Sequence, residues 1–206
     1  MIKAVIFDVD GVLVDSEGAS LDTAGEVFKQ FGVKMTKKEY KNYTGVNLRE
    51  IVKIVSKKRK VKINANEFVK ARYDLYEKYG KKTIKPFSGA KTFISMLRRK
   101  KIKIAVATAG NKRKLTFNLK CGGFDIRNRV TADDIKHGKP APDIFLAAAK
   151  KLKVKPNECI VVEDSLNGIK AAKRAKMFCV AVTNTFPRSK LKDADLIIDS
   201  LSELKW

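Results

Sequence analysis

The sequence Ala4-Val5-Ile6-Phe7-Asp8-Val9-Asp10-Gly11-Val12 is a short apolar run that ends in two carboxylates and a glycine. Continuous apolar runs of this length are typical of strands that are buried on both faces of a sheet. Two carboxylates at positions i and i+2 point the same way if the strand continues, and such a pair is unfavourable unless a cation or a shared proton lies between them. A calcium loop is excluded because its glycine occupies the sixth position, whereas Gly11 would be the fourth. The stretch alone fits a metal or acid–base site and a structural Asp-Gly turn equally well.

Three later apolar runs have the same form, and each ends in polar residues. They are Ile104-Ala105-Val106-Ala107 before Thr108, Ile160-Val161-Val162 before Glu163-Asp164, and Phe178-Cys179-Val180-Ala181-Val182 before Thr183-Asn184. Between them, apolar residues recur at three-and-four spacing, which indicates helices. Alternating strands and helices predict an α/β fold with a Rossmann-like parallel sheet. Because ligands bind at the carboxyl ends of such strands, we expect the polar residues that end three of these four runs to meet in one crevice.

Residues 17–84 have a different pattern, with apolar residues at helical spacing and no β-type run. This pattern predicts three amphipathic helices. The apolar face of the third is expected to consist of Phe68, Ala71, Leu75 and Tyr79. Helix breakers in Pro86-Phe87-Ser88-Gly89 mark the return of the chain to the sheet. The sequence therefore predicts a core domain over residues 1–16 and 85–206, with a small all-helical cap inserted over residues 17–84.

Composition narrows the class of protein further. The chain has 206 residues, of which 44% are hydrophobic, and this fraction argues against a mostly disordered chain. No apolar run approaches the roughly 18 residues of a membrane-spanning helix, and the N-terminus lacks the pattern of a signal peptide. Three cysteines without a CxxC motif or a Cys/His cluster argue against a zinc site and a disulfide framework. We therefore expect a protein of the reducing cytoplasm with no membrane partner.

The large positive charge raises the question of nucleic-acid binding. Lys and Arg number 45 against 22 Asp and Glu, which gives a formal charge of +23, and the densest run is Lys57-Lys58-Arg59-Lys60. The aromatic residues do not alternate with the lysines as base-stacking platforms would. We therefore expect a lysine-rich surface without a nucleic-acid partner, and the alternative is a protein that binds nucleic acid with its basic cap. A basic surface would also attract phosphorylated small molecules in a salt-dependent way.

Four motifs, in order along the chain, resemble those of the haloacid dehalogenase superfamily. They are Asp8-Val9-Asp10-Gly11-Val12, Thr108 at a strand end, Lys139 in Gly138-Lys139-Pro140, and Glu163-Asp164-Ser165. Each has a plain structural explanation when taken alone, because Thr108 suits a strand end, Lys139 suits a solvated surface, and the last motif suits a helix N-cap. Their coincidence in order across most of the chain is what makes the resemblance specific. The helical insertion after the first motif is similar to the β-phosphoglucomutase-like branch.

The resemblance implies a phosphoryl-transfer site. Asp8 would be the nucleophile that forms an aspartyl-phosphate, and Asp10 would be the general acid/base. Thr108 would donate its hydroxyl to the phosphoryl oxygens, and Lys139 would neutralise charge on the phosphate and on Asp8. Magnesium prefers oxygen ligands, and the resemblance implies that it is held by Asp8, the backbone carbonyl of Asp10, Glu163 and Asp164.

The substrate-binding residues of this branch lie in the cap and after the second motif. Here we expect Arg49, in the loop from Gly45 to Glu50, and Lys78 to bind the substrate, together with Ala109-Gly110-Asn111. The mutases of the branch carry a histidine in the stretch that corresponds to residues 18–21 and a serine where Gly110 stands, and this chain has neither.

These departures favour hydrolysis over isomerisation. We predict a Mg²⁺-dependent phosphatase, a phosphoric monoester hydrolase that acts on a small phosphorylated metabolite of the sugar-phosphate or phosphoglycolate type. We expect the protein to be a monomer. The alternatives are a sugar-phosphate mutase, a pyrophosphatase that cleaves a phosphoanhydride, a non-catalytic binding module, and the nucleic-acid-binding protein considered above.

Overall fold

The computed structural model describes residues 1–43, 46 and 48–205 of the chain. The chain forms two compact units: the core, Met1–Asp15 with Lys85–Trp206, and the cap, Ser16–Ile84. No helix in the described part of the chain is long and apolar enough to cross a membrane.

A six-stranded sheet forms the centre of the core. Its strands are β1 (Ala4–Phe7), β4 (Lys103–Ala107), β5 (Asn128–Val130), β6 (Cys159–Glu163), β7 (Phe178–Val182) and β8 (Leu196–Ile198). They are all parallel, in the order β5-β4-β1-β6-β7-β8. Phe7 is in register with Val106 on one side and Val162 on the other. This register brings the residues that follow β1, β4 and β6 to the same edge of the sheet, which confirms the predicted α/β fold.

The two outermost strands were not predicted from the sequence. Strands β5 and β8 have three residues each and lie at opposite edges of the sheet. Asn128 and Arg129 are part of β5, so this strand has no continuous apolar run. Strand β8 consists of Leu196, Ile197 and Ile198, which are all apolar, but three residues are too few to be recognised as a buried strand.

The core has four helices in its described residues. They are α5 (Ala90–Arg99), α6 (Lys112–Gly122), α7 (Asp143–Leu152) and α8 (Leu166–Arg174). Helices α5, α7 and α8 pack against the six-stranded sheet, and α6 packs against a short ribbon formed by Val14–Asp15 and Lys85–Pro86. The apolar faces expected around Phe93, Phe145 and Ile169 are buried. Burial of such a face contributes about 25 cal/mol per Å² of apolar surface, and this term holds helices and sheet together.

A short antiparallel ribbon marks where the chain leaves the core and returns to it. Strand β2 (Val14–Asp15) pairs with β3 (Lys85–Pro86). The backbone N–H of Phe87 also donates to the carbonyl of Leu13, at 3.0 Å. The ribbon therefore fixes both crossing points of the chain beside the β1 exit loop.

The cap contains four helices in its described residues. They are α1 (Glu17–Gln30), α2 (Lys37–Lys41), α3 (Leu48–Arg59) and α4 (Ala65–Thr83). Phe28 and Phe68 lie at the centre of its apolar cluster, with ring centroids 4.5 Å apart. The short helix α2 was not predicted, and its Thr36 N-cap accepts a hydrogen bond from the Glu39 N–H at 3.1 Å.

The predicted apolar face of α4 is partly wrong. Tyr79 is 44% exposed, whereas Tyr76 and Arg72 are buried. The buried stripe follows a spacing of four residues, through Phe68, Arg72, Tyr76 and Gly80. Because Arg72 is charged, the apolar pattern did not include it, and the predicted face therefore ran to Tyr79 instead of Tyr76.

Candidate active site

Lys139 lies between two buried carboxylates at the edge of the sheet. Its Nζ donates to Asp8 Oδ1 and to Glu163 Oε1, each at 2.5 Å. The three side chains are 8%, 8% and 1% exposed, in the order Lys139, Asp8 and Glu163. The ammonium group also lies 5.0 Å from the ring centre of Phe145. Burial would lower the pKa of Lys139, but the two carboxylates outweigh it and raise the pKa above its usual range.

Backbone groups fix the orientation of Glu163. Its Oε2 accepts hydrogen bonds from the N–H groups of Asp164 and Ser165, at 2.8 and 2.7 Å. Ser165 is the N-cap of α8, because its hydroxyl accepts from the Gly168 N–H at 3.0 Å. A Cβ on Gly168 would stand 1.8 Å from Glu163 Oε1, so only glycine leaves room for this carboxylate. The fourth motif therefore caps a helix and places a buried carboxylate at once.

Three carboxylates form a cluster that is suited to a divalent cation. One ligand oxygen from each of Asp8, Glu163 and Asp164 lies within 4.8 Å of the others, and all three residues are buried. Burial, helped by the neighbouring carboxylates Glu163 and Asp10, raises the pKa of Asp8 to about 7 against the opposing effect of Lys139. Burial, with Glu163 and Asp8 nearby, also raises the pKa of Asp164 well above its usual range. A single lysine thus leaves the cluster short of positive charge, and a hard cation with oxygen ligands fits it.

Asp10 occupies a different environment from Asp8. Its Oδ2 accepts from the Thr108 hydroxyl at 3.3 Å, and its Oδ1 accepts from Asn118 Nδ2 at 2.9 Å. Lys114 Nζ lies 2.9 Å from the same Oδ1. Lys114 and Asn118 were not singled out from the sequence, although their spacing of four residues places both on one face of α6. The signal was hidden because lysines are frequent throughout this chain.

The residues after the second motif have structural roles that the sequence did not predict. Gly110 N–H donates to the Thr108 hydroxyl at 3.1 Å. Asn111 is the N-cap of α6, where its Oδ1 accepts from the Lys114 N–H at 2.9 Å. Ala109 is exposed. A Cβ on Gly110 would stand 3.2 Å from Lys114 Cδ, so the absent side chain leaves room for the lysine stem. Substrate binding by these residues stays a prediction.

The predicted cap residues are found on the surface of the cap. Arg49 Nη1 donates to Asn66 Oδ1 at 2.6 Å, and Lys78 is exposed on α4. Gly45 and Asn47, from the same predicted loop, lie outside the described residues. Substrate binding by Arg49 and Lys78 also stays a prediction.

Arg72 is a buried cation of the cap that was not singled out from the sequence. Its guanidinium donates to the Thr23 hydroxyl at 2.5 Å and to the Ser20 carbonyl at 2.7 Å. It lies over the rings of Tyr40 and Tyr76, at 6.0 and 5.6 Å from their centres. Neutral acceptors and ring faces therefore stabilise this charge.

The chain is similar to two curated proteins over nearly its whole length. The chain is 38% identical over 201 residues to Protein SUPPRESSOR OF QUENCHING 1, chloroplastic, of Arabidopsis thaliana, with 94% of this chain but 19% of that protein covered. It is 30% identical over 212 residues to Validoxylamine A 7'-phosphate phosphatase of Streptomyces hygroscopicus subsp. limoneus, with 100% and 97% of the two chains covered. It thus spans about a fifth of the first relative and nearly all of the second.

A solved structure identifies the branch. The crystal structure of β-phosphoglucomutase from Clostridium difficile matches with a TM-score of 0.84 and 26% identity, over 100% of this chain and 94% of that one. The family model of the haloacid dehalogenase-like hydrolases matches residues 5–182. The chain therefore belongs to the haloacid dehalogenase-like hydrolase family, in its β-phosphoglucomutase-like branch.

Proposed function

We propose that the protein is a Mg²⁺-dependent phosphatase that hydrolyses a small phosphorylated metabolite through an aspartyl-phosphate on Asp8. The observation that carries the proposal is the separation of two carboxylates into two environments at one sheet edge. Asp8 lies in the buried cluster with Lys139, whereas Asp10 is held by Thr108, Asn118 and Lys114. Different environments allow neighbouring carboxylates to take different roles.

In the proposed reaction Asp8 is the nucleophile. In the first step an oxygen of Asp8 forms a bond to phosphorus, the bond from phosphorus to the ester oxygen breaks, and the departing alkoxide takes a proton from Asp10. In the second step Asp10 takes a proton from water, the water oxygen bonds to phosphorus, and the Asp8–phosphorus bond breaks. Inorganic phosphate and an alcohol are the products. Such sites act mainly by positioning and charge stabilisation.

The carboxylate oxygens of Asp8, Glu163 and Asp164 are ligands of the kind that Mg²⁺ prefers. When bound by Asp8, Glu163, Asp164 and the backbone carbonyl of Asp10, Mg²⁺ would neutralise charge on the phosphoryl oxygens. Lys139 contributes a fixed positive charge beside Asp8, and its contact with Glu163 holds it there. The Thr108 hydroxyl, at the end of β4, donates to Asp10 Oδ2, and in this proposal it turns to the phosphoryl group when substrate binds.

A sugar-phosphate mutase is the second candidate, and the match to β-phosphoglucomutase is the observation that favours it. Hydrolysis is preferred because the chain has no serine at position 110, and Lys114 occupies the room that Gly110 leaves. The relative that is named a phosphatase supports the same choice. We further propose that the protein is a monomer, that it acts in the reducing cytoplasm, and that it has no nucleic-acid partner.

The test is release of inorganic phosphate from a panel of phosphorylated metabolites that includes β-glucose 1-phosphate and phosphoglycolate. We expect release that requires both Mg²⁺ and Asp8, with the Asp8→Asn variant as control. The same samples are assayed for glucose 6-phosphate. Formation of glucose 6-phosphate without release would replace the phosphatase with the mutase.

A further inference from the structure

The loop after β7 reaches the carboxylate cluster. Thr185, in this loop, donates its hydroxyl to Asp164 Oδ2. Asp164 is buried and is one of the three cluster carboxylates. Thr185 was not singled out from the sequence, so it is an addition to the site.

The hydrogen bond lies against the turn that carries Asp10. Gly11 has a φ of +80°, and a Cβ on it would stand 1.9 Å from Asp164 Oδ2 and 2.9 Å from Thr185 Oγ1. The neighbouring Asn184 donates its Nδ2 to the Gly11 carbonyl at 2.8 Å. The loop is therefore tied to the β1 exit turn by one residue and to Asp164 by the next.

The cluster carboxylates differ in how they are held. Glu163 is oriented by two backbone N–H groups and by Lys139. The carboxylate of Asp164, among the contacts of the described residues, is oriented by the Thr185 hydroxyl alone. Without that donor, rotation about the side chain of Asp164 would be opposed by packing only.

We propose that Thr185 is a positioning residue of the metal site, because it holds one oxygen of Asp164 and leaves the other to the cation. This inference rests on the Mg²⁺ site of the proposed function. Groups that orient a metal ligand commonly change metal affinity by about 10- to 100-fold when they are removed. Thr185 does not touch the phosphoryl group in this account, so its effect should appear in cation binding before it appears in catalysis.

The experiment is calorimetric titration of the metal-free protein with MgCl₂ in phosphate-free buffer. Thr185→Val keeps the size of the side chain and removes the donor, whereas Thr185→Ser keeps the donor. We expect the valine variant to bind Mg²⁺ about 10- to 100-fold more weakly and the serine variant to stay close to the parent protein. Thr183→Val is the matched control, because Thr183 donates to the exposed Asp199, at 2.8 Å, rather than to Asp164.

Each outcome decides one question. Equal Mg²⁺ affinity for Thr185→Val and the parent protein would overturn the role of Thr185 and leave the proposed function standing. A parent protein that binds no Mg²⁺ would overturn both the metal site and the inference. If Thr185→Val fails to fold, Thr185→Ala removes the same donor without placing a methyl group where the hydroxyl was, and the same comparison applies. Weaker binding in Thr183→Val as well would assign the effect to the loop as a whole, against the specific role of Thr185.

Discussion

Lys114 Nζ lies 2.9 Å from Asp10 Oδ1, so the proposed acid/base carboxylate has a lysine as a direct partner. The lysine stem passes over Gly110, and its own backbone N–H is capped by Asn111. The start of α6 is thus built to hold this lysine beside Asp10.

Removal of the Lys114 ammonium should slow turnover. In Lys114→Met, Asp10 retains Asn118 and Thr108 but loses its charged partner, and we expect kcat to fall about tenfold, a fraction of the 10²- to 10⁴-fold typical of acid–base catalysis. Steady-state phosphate release measures this. Lys112→Met is the matched control, since Lys112 is exposed on the same helix and pairs with Asp134 at 3.2 Å. Equal kcat for the two variants would refute the role of Lys114.

Stabilisation by Mg²⁺ should depend on pH. Burial raises the pKa of Asp8 from 3.8 to about 7 in the metal-free protein. The folded state therefore keeps a proton that the unfolded state loses, and this term lowers stability as pH rises from about 4 to about 7. A bound cation requires ionised carboxylates and removes the penalty. We expect Mg²⁺ to raise Tm more at pH 8 than at pH 6, as measured by thermal unfolding, and an equal rise at both would contradict this account.

Glycine at position 168 should be essential to the site. An added Cβ would overlap Glu163 Oε1 at 1.8 Å, so Gly168→Ala must displace the carboxylate that holds Lys139. We expect a loss of about 1–3 kcal/mol in the free energy of unfolding, as for an overpacked core, and a loss of phosphate release. Urea unfolding of Gly18→Ala provides the control, because nothing lies within 4 Å of that Cβ position. Parent-like stability and activity in Gly168→Ala would argue against the described packing.

Four lysines end helices in a left-handed conformation. Lys60, Lys101, Lys153 and Lys176 have φ values between 53° and 58°. The residue after each donates its N–H back into the helix, as Ile102 does to the Leu97 carbonyl at 2.9 Å. Because L-residues are strained by about 1 kcal/mol there, we expect Lys101→Gly to raise the free energy of unfolding by up to about 1 kcal/mol. A fall in urea midpoint would show that the lysine side chain contributes more than the strain costs.

The core was predictable because its central strands are continuous apolar runs. Phe7, Ala107 and Val162 precede the residues that form the site, and parallel register alone brings those residues together. Strand β5 was missed because it carries polar residues, and β8 was missed because its apolar run has only three residues. The four helix ends were equally obscure, since lysine occupies positions where glycine is the usual signal.

The site was predictable only as far as its motifs extend. Asp8, Lys139 and Glu163 stand in motifs, and the structure places them in contact. Lys114 and Thr185 stand outside the motifs and reach the site through a helix start and a strand exit. Arg72 was missed because a helical face is predicted to be buried when its residues are apolar, and an arginine does not meet that criterion. Tertiary contacts of this kind leave no local trace in one sequence.

The most direct test of the central claim is to trap the phosphoryl-enzyme. The parent protein is mixed with Mg²⁺ and an intact substrate from the panel that it is able to hydrolyse. The mixture is then quenched in acid, digested and examined by mass spectrometry. The account predicts one phosphoryl group on Asp8, removed by hydroxylamine and missing from Asp8→Asn. Phosphate release by an enzyme that never carries a phosphoryl group on Asp8, or undiminished release by Asp8→Asn, would contradict it.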